Sequence, residues 1–173
     1  IKKYFMSFDQ ELMKKFNNNI SNNTKLSNYS WFNLGGPADY FFKPENMNQL
    51  IEFLQDNKKN KLKITILGAG SNTLIRDKGV RGVVIKLGSN FSKVNLISKD
   101  TIEAGAATLD RKISNFAKDN SIGNLEFLSC IPGSIGGAVI MNSGCYGNDI
   151  SKVLISIKVI DLVSCQLKEI KRT

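Results

Sequence analysis

The sequence has 173 residues, of which 42% are hydrophobic; that suffices for one domain or for two small lobes around a shared ligand, while no apolar run approaches the roughly 20 residues of a membrane-spanning helix and no secretory leader opens the sequence, so a cytoplasmic protein without a membrane partner is expected. The formal charge is +9, but 20 of the 24 basic residues are lysine and only Arg76, Arg81, Arg111 and Arg172 carry the forked guanidinium suited to base and phosphate contacts; lysine and asparagine are enriched along the whole sequence, which reads as compositional drift, and no nucleic-acid partner is expected. The absence of histidine excludes histidine triads, bases and metal ligands, and Cys130, Cys145 and Cys165, an odd number without a Cys-x-x-Cys pair, argue against a zinc site or a disulfide framework.

In chain order, Ser7 and Gln10 fit a capping box, and Phe8, Leu12 and Phe16 recur every four residues, which predicts a short leading helix. Residues 17–24 read as a polar linker. Strands are expected over 29–34 and 38–43, around the turn Gly35-Gly36-Pro37. Pro44 then opens a helix with Met47, Leu50, Ile51 and Leu54 on one face, and Lys58 to Lys61 form a charged loop. A strand over 62–67 completes a strand–helix–strand unit, which favours parallel pairing. Further strands are expected over 80–87, 91–97 and 101–106. Thr108 is expected to cap a helix whose face holds Leu109, Ile113, Phe116 and Ala117. From Val153 to Ile160 alternate residues are apolar, as in a sheet strand, and 167–171 is its expected hairpin partner.

Two glycine-rich segments interrupt this pattern. The first, Gly68-Ala69-Gly70-Ser71-Asn72-Thr73, follows the apolar run 64–67. Glycine there lets a ligand approach the backbone without meeting a Cβ, successive N–H groups can converge on an anion, and Ser71 and Asn72 add side-chain donors. This chemistry suits a pyrophosphate, although a tight structural turn would use the same residues. The dinucleotide fingerprint needs a third glycine where Thr73 stands, and a phosphate loop needs Gly-Lys-Ser/Thr, so neither is matched.

The second segment runs from Ile131-Pro132-Gly133-Ser134-Ile135-Gly136-Gly137 to Asn142-Ser143-Gly144-Cys145-Tyr146-Gly147. Such permissive backbone is costly to order unless a ligand or close packing fixes it. Phe127, Leu128, Ile131, Ile135, Val139 and Ile140 surround it, and an apolar wall beside exposed main-chain donors suits a planar ring with a polar edge, such as isoalloxazine. The aromatic segment Ser30-Trp31-Phe32-Asn33-Leu34 before the Gly35-Gly36 turn reads as core.

Taken in order, SWFNLGGPADYFFKP, ITILGAGSNTLIRDKGVRGVVIKLG and LEFLSCIPGSIGGAVIMNSGCYGNDI resemble the UDP-N-acetylenolpyruvoylglucosamine reductase family over about residues 28–170. The resemblance implies an α+β fold: the two-lobed FAD-binding domain of the vanillyl-alcohol-oxidase (PCMH) type, a small α/β lobe plus a mainly antiparallel sheet lobe. On that basis residues 1–23 are leading helix and linker and 24–173 the FAD-binding domain, with lobes of about 24–88 and 89–173 and no C-terminal substrate domain. The implied cofactor is FAD and the implied hydride donor NADPH, reducing an enolpyruvyl UDP sugar in peptidoglycan precursor synthesis. Gly68, Ala69, Gly70, Ser71, Asn72 and Thr73, with Pro132, Gly133, Ser134, Gly136, Gly137, Asn142, Gly144 and Tyr146, are the implied FAD contacts. No catalytic residue is assigned: Arg172 lacks the family's Tyr-Arg context, and the proton-donating serine or cysteine and the glutamate have no counterpart here. The sequence is therefore expected to bind FAD but not to turn over. Another FAD oxidoreductase on the same fold, or a non-catalytic nucleotide-binding module, are the alternatives.

Overall fold

The computed structural model describes residues 11–172. Their contacts divide them into two units: the first takes the chain up to Leu67 together with Thr73–Lys86, the second takes Gly68–Asn72 together with the chain from Leu87. The capping-box residues Ser7 and Gln10, and Phe8, lie outside the described residues.

In the first unit, β1 (Ile20–Lys25), β2 (Pro37–Phe42), β3 (Ile64–Ile66) and β4 (Val80–Ile85) form one sheet in the order β1-β2-β4-β3. β2, β4 and β3 run parallel, and β1 closes the edge antiparallel to β2. Parallel strands need a crossover, and the helix Met47–Asn60 carries the chain from β2 to β3, leaving the place between them for β4. Both faces of the sheet are covered, which is why β2 and β4 end in unbroken apolar runs, Phe41-Phe42 and Val83-Val84-Ile85. On one face Phe42 meets Phe16 edge-on at 5.4 Å between ring centroids and stacks on Phe53 at 4.3 Å. On the other, Phe41 packs with Leu26, Ala38, Leu67, Ile75 and Val84, and Tyr29 stacks on it.

Three expectations are corrected here. Residues 20–25 are an edge strand rather than linker: Ile20 is buried opposite Phe42, while the asparagines and serine of an edge strand can stay solvated. The expected strand over 29–34 is a 3₁₀ turn, Leu26–Tyr29, followed by a tight turn in which Asn33 N–H donates to Ser30 O at 3.0 Å with φ of +53° at Asn33. That φ is incompatible with extended backbone, and it leaves Trp31 and Phe32 exposed rather than in the core. Lys58 and Lys59 belong to the crossover helix, whose C-terminal partial charge they complement. The helix stops because the buried Asn57 side chain takes both polar groups of Leu62, donating to its carbonyl at 2.9 Å and accepting from its N–H at 3.2 Å.

In the second unit, β5 (Val94–Ser98) and β6 (Thr101–Ala104) form a hairpin. The helix Asp110–Asp119 follows, buried along Ile113 and Ala117. The 3₁₀ segment Glu126–Cys130 leads to a short helix, Ile135–Met141. β7 (Gly144–Cys145) and β8 (Asn148–Asp149) make a small hairpin, closed by Tyr146 and Gly147 at φ of +52° and +77°, the arrangement that matches strand twist in a two-residue loop. After the one-turn α-helix Ile150–Val153, β9 (Ser156–Ile160) pairs antiparallel with β10 (Leu167–Lys171). Ile113, Phe127, Leu128, Ala138 and Ile150 form the core of this unit.

Two more expectations change. Val153 closes the one-turn helix Ile150–Val153 instead of opening a strand, because Asn142 Oδ1 accepts from Ser151 N–H at 2.8 Å and Ile150 is drawn into the core. Thr108 does not cap the following helix: the N-cap is Leu109, which makes no side-chain cap bond and is exposed.

Candidate functional site

The two glycine-rich segments, about sixty residues apart in sequence, meet within the second unit. A Cβ placed on Gly68 would stand 2.9 Å from Ser134 Oγ. A side chain at position 68 would therefore have to displace the Ser134 hydroxyl, and the buried Ser134 is the residue through which the two segments meet. Thr73 falls with the first unit, where its carbonyl accepts from Ser30 Oγ at 3.4 Å.

Three main-chain hydrogen bonds hold residues 133–136 of the second segment against 106–110. Asp110 N–H donates to Gly133 O at 3.1 Å, Ile135 N–H to Thr108 O at 2.8 Å, and Gly136 N–H to Ala106 O at 3.0 Å. In this antiparallel bridge the N–H of Ser134, between those rungs, faces the other way. Among the described residues no main-chain carbonyl accepts from the N–H groups of Ser71, Asn72, Gly133, Ser134 or Gly137. Main-chain donors left over where two side-chain-free turns meet fit a phosphate-bearing ligand.

The remaining expected contacts have different surroundings. Pro132 is exposed, as is Tyr146. Asn142 takes φ of +45° to end the helix Ile135–Met141, and its side-chain oxygen is the one that accepts from Ser151. Gly136 and Gly144 lie against the main chain of Ala106 and Asn148. The expected apolar wall is core instead: Phe127 and Leu128 are buried, and Ile131, Ile135 and Val139 pack against them, while Ile140 is exposed. Cys130 is exposed, Cys145 half-buried and Cys165 buried, all three as free thiols.

Behind the loop lies a feature that motif reading missed. Asp110 and Thr108 are fully buried, and neither the carboxylate oxygens nor the hydroxyl has a hydrogen-bond partner. Burial pushes the Asp110 carboxyl up to about 6. The amphipathic pattern of the helix offered one signal, since a polar residue stands in its first turn on the inward side.

Residues 38–165 match the family model described as an FAD binding domain. The chain belongs to that family. This FAD binding domain is 50% identical over 155 residues to UDP-N-acetylenolpyruvoylglucosamine reductase of Pelagibacter ubique, an alignment covering 87% of this chain and 51% of the relative. Among solved structures it is similar to UDP-N-acetylenolpyruvylglucosamine reductase from Thermus caldophilus, with a TM-score of 0.71 and 26% identity over 88% of this chain and 52% of the other. A VAO-type flavoprotein from Myceliophthora thermophila shares the fold at a TM-score of 0.61 and 14% identity, over 78% of this chain and 26% of the other. The domain thus spans about half the length of the curated relatives it matches. Its α+β fold is that of the VAO-type FAD-binding domains, and its cofactor is FAD. Among the described residues no helix is long and apolar enough to cross a membrane.

Proposed function

We propose that this chain is the FAD-binding part of a cytoplasmic reductase that uses NADPH to convert UDP-N-acetylglucosamine enolpyruvate to UDP-N-acetylmuramate. The observation that carries the reading is the meeting of Gly68 with Ser134, which brings unengaged main-chain donors from two distant segments to one place. The half-length match to reductases of that name supports it.

In this reading residues 24–173 are the FAD-binding domain. The N–H groups of Ser71, Asn72, Gly133 and Ser134 bind the diphosphate, with the Ser71 and Asn72 side chains as further donors. Ala69, Gly70 and Thr73 shape the first turn. Pro132, Gly136, Gly137, Asn142, Gly144 and Tyr146 border the remainder of the cofactor. The flavin, when bound, supplies hydride transfer from NADPH to the enolpyruvyl double bond. The protein's share is position: an anion met by fixed main-chain dipoles needs no reorganisation on binding. No residue of this chain is assigned to proton transfer.

The test is purification of the chain with FAD, followed by an NADPH-oxidation assay with the UDP sugar. Retained flavin absorbance, lost when Gly68 is replaced by valine, is expected. A chain that binds no flavin, or a flavin that is reduced by another substrate and ignores the UDP sugar, would overturn the reading.

A further inference from the structure

Among the described residues Asp110 is the only buried carboxylate, and with the Thr108 hydroxyl it gives three buried polar atoms without a partner. Such atoms are rare in folded proteins because each forfeits its hydration. One of them, Asp110 Oδ2, lies directly against the second glycine segment. A Cβ on Gly133 would stand 2.6 Å from Asp110 Oδ2. The main chain of 108–110 also fixes Gly133 and Ile135 through the two bonds described above. The carboxyl therefore stands behind the stretch whose other side presents the Ser134 N–H group.

We propose that Asp110 is a positioning residue of the cofactor loop whose carboxyl takes up a proton when the anionic diphosphate binds, so that flavin binding and Asp110 protonation are coupled. The proposal rests on the cofactor reading above and adds a proton to it. An anion drawn to the Ser134 N–H brings negative charge to the far side of the stretch that Asp110 backs, and in that poorly screened setting two neighbouring negative charges disfavour each other, which favours the protonated carboxyl. The neutral acid also removes the conflict of an ionised oxygen wedged behind a loop built for anions.

No neighbouring charge relieves Asp110, whose displacement comes from burial alone. The titratable groups on the elements around it are Arg111, Lys112, Lys118 and Asp119 on its own helix, and Glu126 and Cys130 on the adjoining 3₁₀ segment, all exposed. Lys93, Lys99, Asp100 and Glu103 belong to the β5–β6 hairpin and its approach, and Asp149 and Lys152 to the turn after β8. Lys112 is committed elsewhere, donating to Ser92 O at 3.2 Å. Residues 131–137 contribute no titratable side chain.

The test is the FAD dissociation constant of the chain, read from flavin fluorescence between about pH 5 and 8, for the wild type and for Asp110→Asn. Linkage caps the slope of such a one-proton coupling at about tenfold per pH unit. In the wild type, affinity should be level below about pH 5.5 and fall roughly threefold to tenfold between about pH 6 and 7.5. In Asp110→Asn it should be level throughout and, at the alkaline end, tighter than wild type. A pH-independent wild type, an Asp110→Asn protein that keeps the wild-type slope, or one weakened equally at every pH would overturn the coupling. FAD bound at no pH would instead remove the cofactor reading itself.

Discussion

An aspartate faces a glycine at two places in this protein, and the two pairs are built differently. In the first unit Asp39 sits on β2 where the register against β4 slips: Ala38 pairs with Val80, but Tyr40 pairs with Val83. The extra residue in β4 is absorbed at Gly82, with φ of +92°. Asp39 Oδ2 accepts from Gly82 N–H at 2.9 Å and Oδ1 accepts from Arg81 Nη1 at 2.6 Å. This is a β-bulge closed by its own carboxylate. In the second unit Asp110 presses on Gly133, yet neither oxygen is used. The first pair is complete within the fold. The second leaves polar capacity unspent beside the cofactor loop, which separates an architectural aspartate from one with a further role.

The largest effect should come from disturbing the complete pair. A Cβ at Gly82 would stand 2.2 Å from Lys63 O, a main-chain atom, at a φ that side chains rarely adopt. Strain of that kind costs ~1–3 kcal/mol before any clash, so Gly82→Ala is expected to lose roughly 3 kcal/mol or more. Asp39→Ala leaves the Gly82 N–H without an acceptor and should lose ~1–3 kcal/mol. Urea denaturation read by circular dichroism tests both. If neither variant moves the midpoint beyond what a surface substitution does, the bulge is incidental and the comparison with Asp110 has no reference.

Asp110→Asn should act in the opposite direction. The folded-state carboxyl lies at about 6 against an ordinary 3.8. Stability that depends on its neutral form is whole below about pH 4 and lost as pH rises through about 6. The asparagine variant has nothing to ionise. Its thermal midpoint without flavin should equal that of the wild type near pH 4 and exceed it at pH 7.5, by a margin that opens between those values. A variant less stable than wild type at pH 7.5 would mean that the carboxylate has found a partner, and Asp110 would join Asp39 as architecture.

The same contrast explains what could be read from the sequence. The parallel unit was legible because apolar residues concentrate at 38–43, 62–67 and 80–87, and β9 because alternation survives in it, while β10, Leu-Lys-Glu-Ile-Lys and exposed throughout, follows from its pairing with β9. Residues 29–34 were misread because Trp31 and Phe32 have strand propensity, whereas the turn is decided by φ at Asn33 and by the Ser30–Asn33 bond. Residues 20–25 were misread because an edge strand is specified by its partner's backbone rather than by its own side chains. At the site, glycine spacing pointed to both loops but not to which glycines serve packing: Gly136 and Gly144 are dictated by Ala106 and Asn148. The helix pattern placed a polar residue inward at Asp110, but its role was illegible because Gly133, which it presses on, lies more than twenty positions away and no local pattern records burial without a partner.

The smallest expected effect sharpens the comparison most finely. Arg81 makes a short ion pair with Asp39 and donates to Lys78 O at 3.1 Å, but its side chain is 75% exposed. Exposed pairs of this kind contribute under about 1 kcal/mol and weaken with added salt. Arg81→Ala should therefore cost less than Asp39→Ala, and both losses should shrink as salt rises while the gap between them persists, since the ion pair is missing from both variants and the part-buried Gly82 N–H bond only from Asp39→Ala. Equal losses for the two variants would assign the bulge to the ion pair. The distinction between the aspartates would then be one of counter-ion, present at Asp39 and absent at Asp110, rather than of main-chain donor.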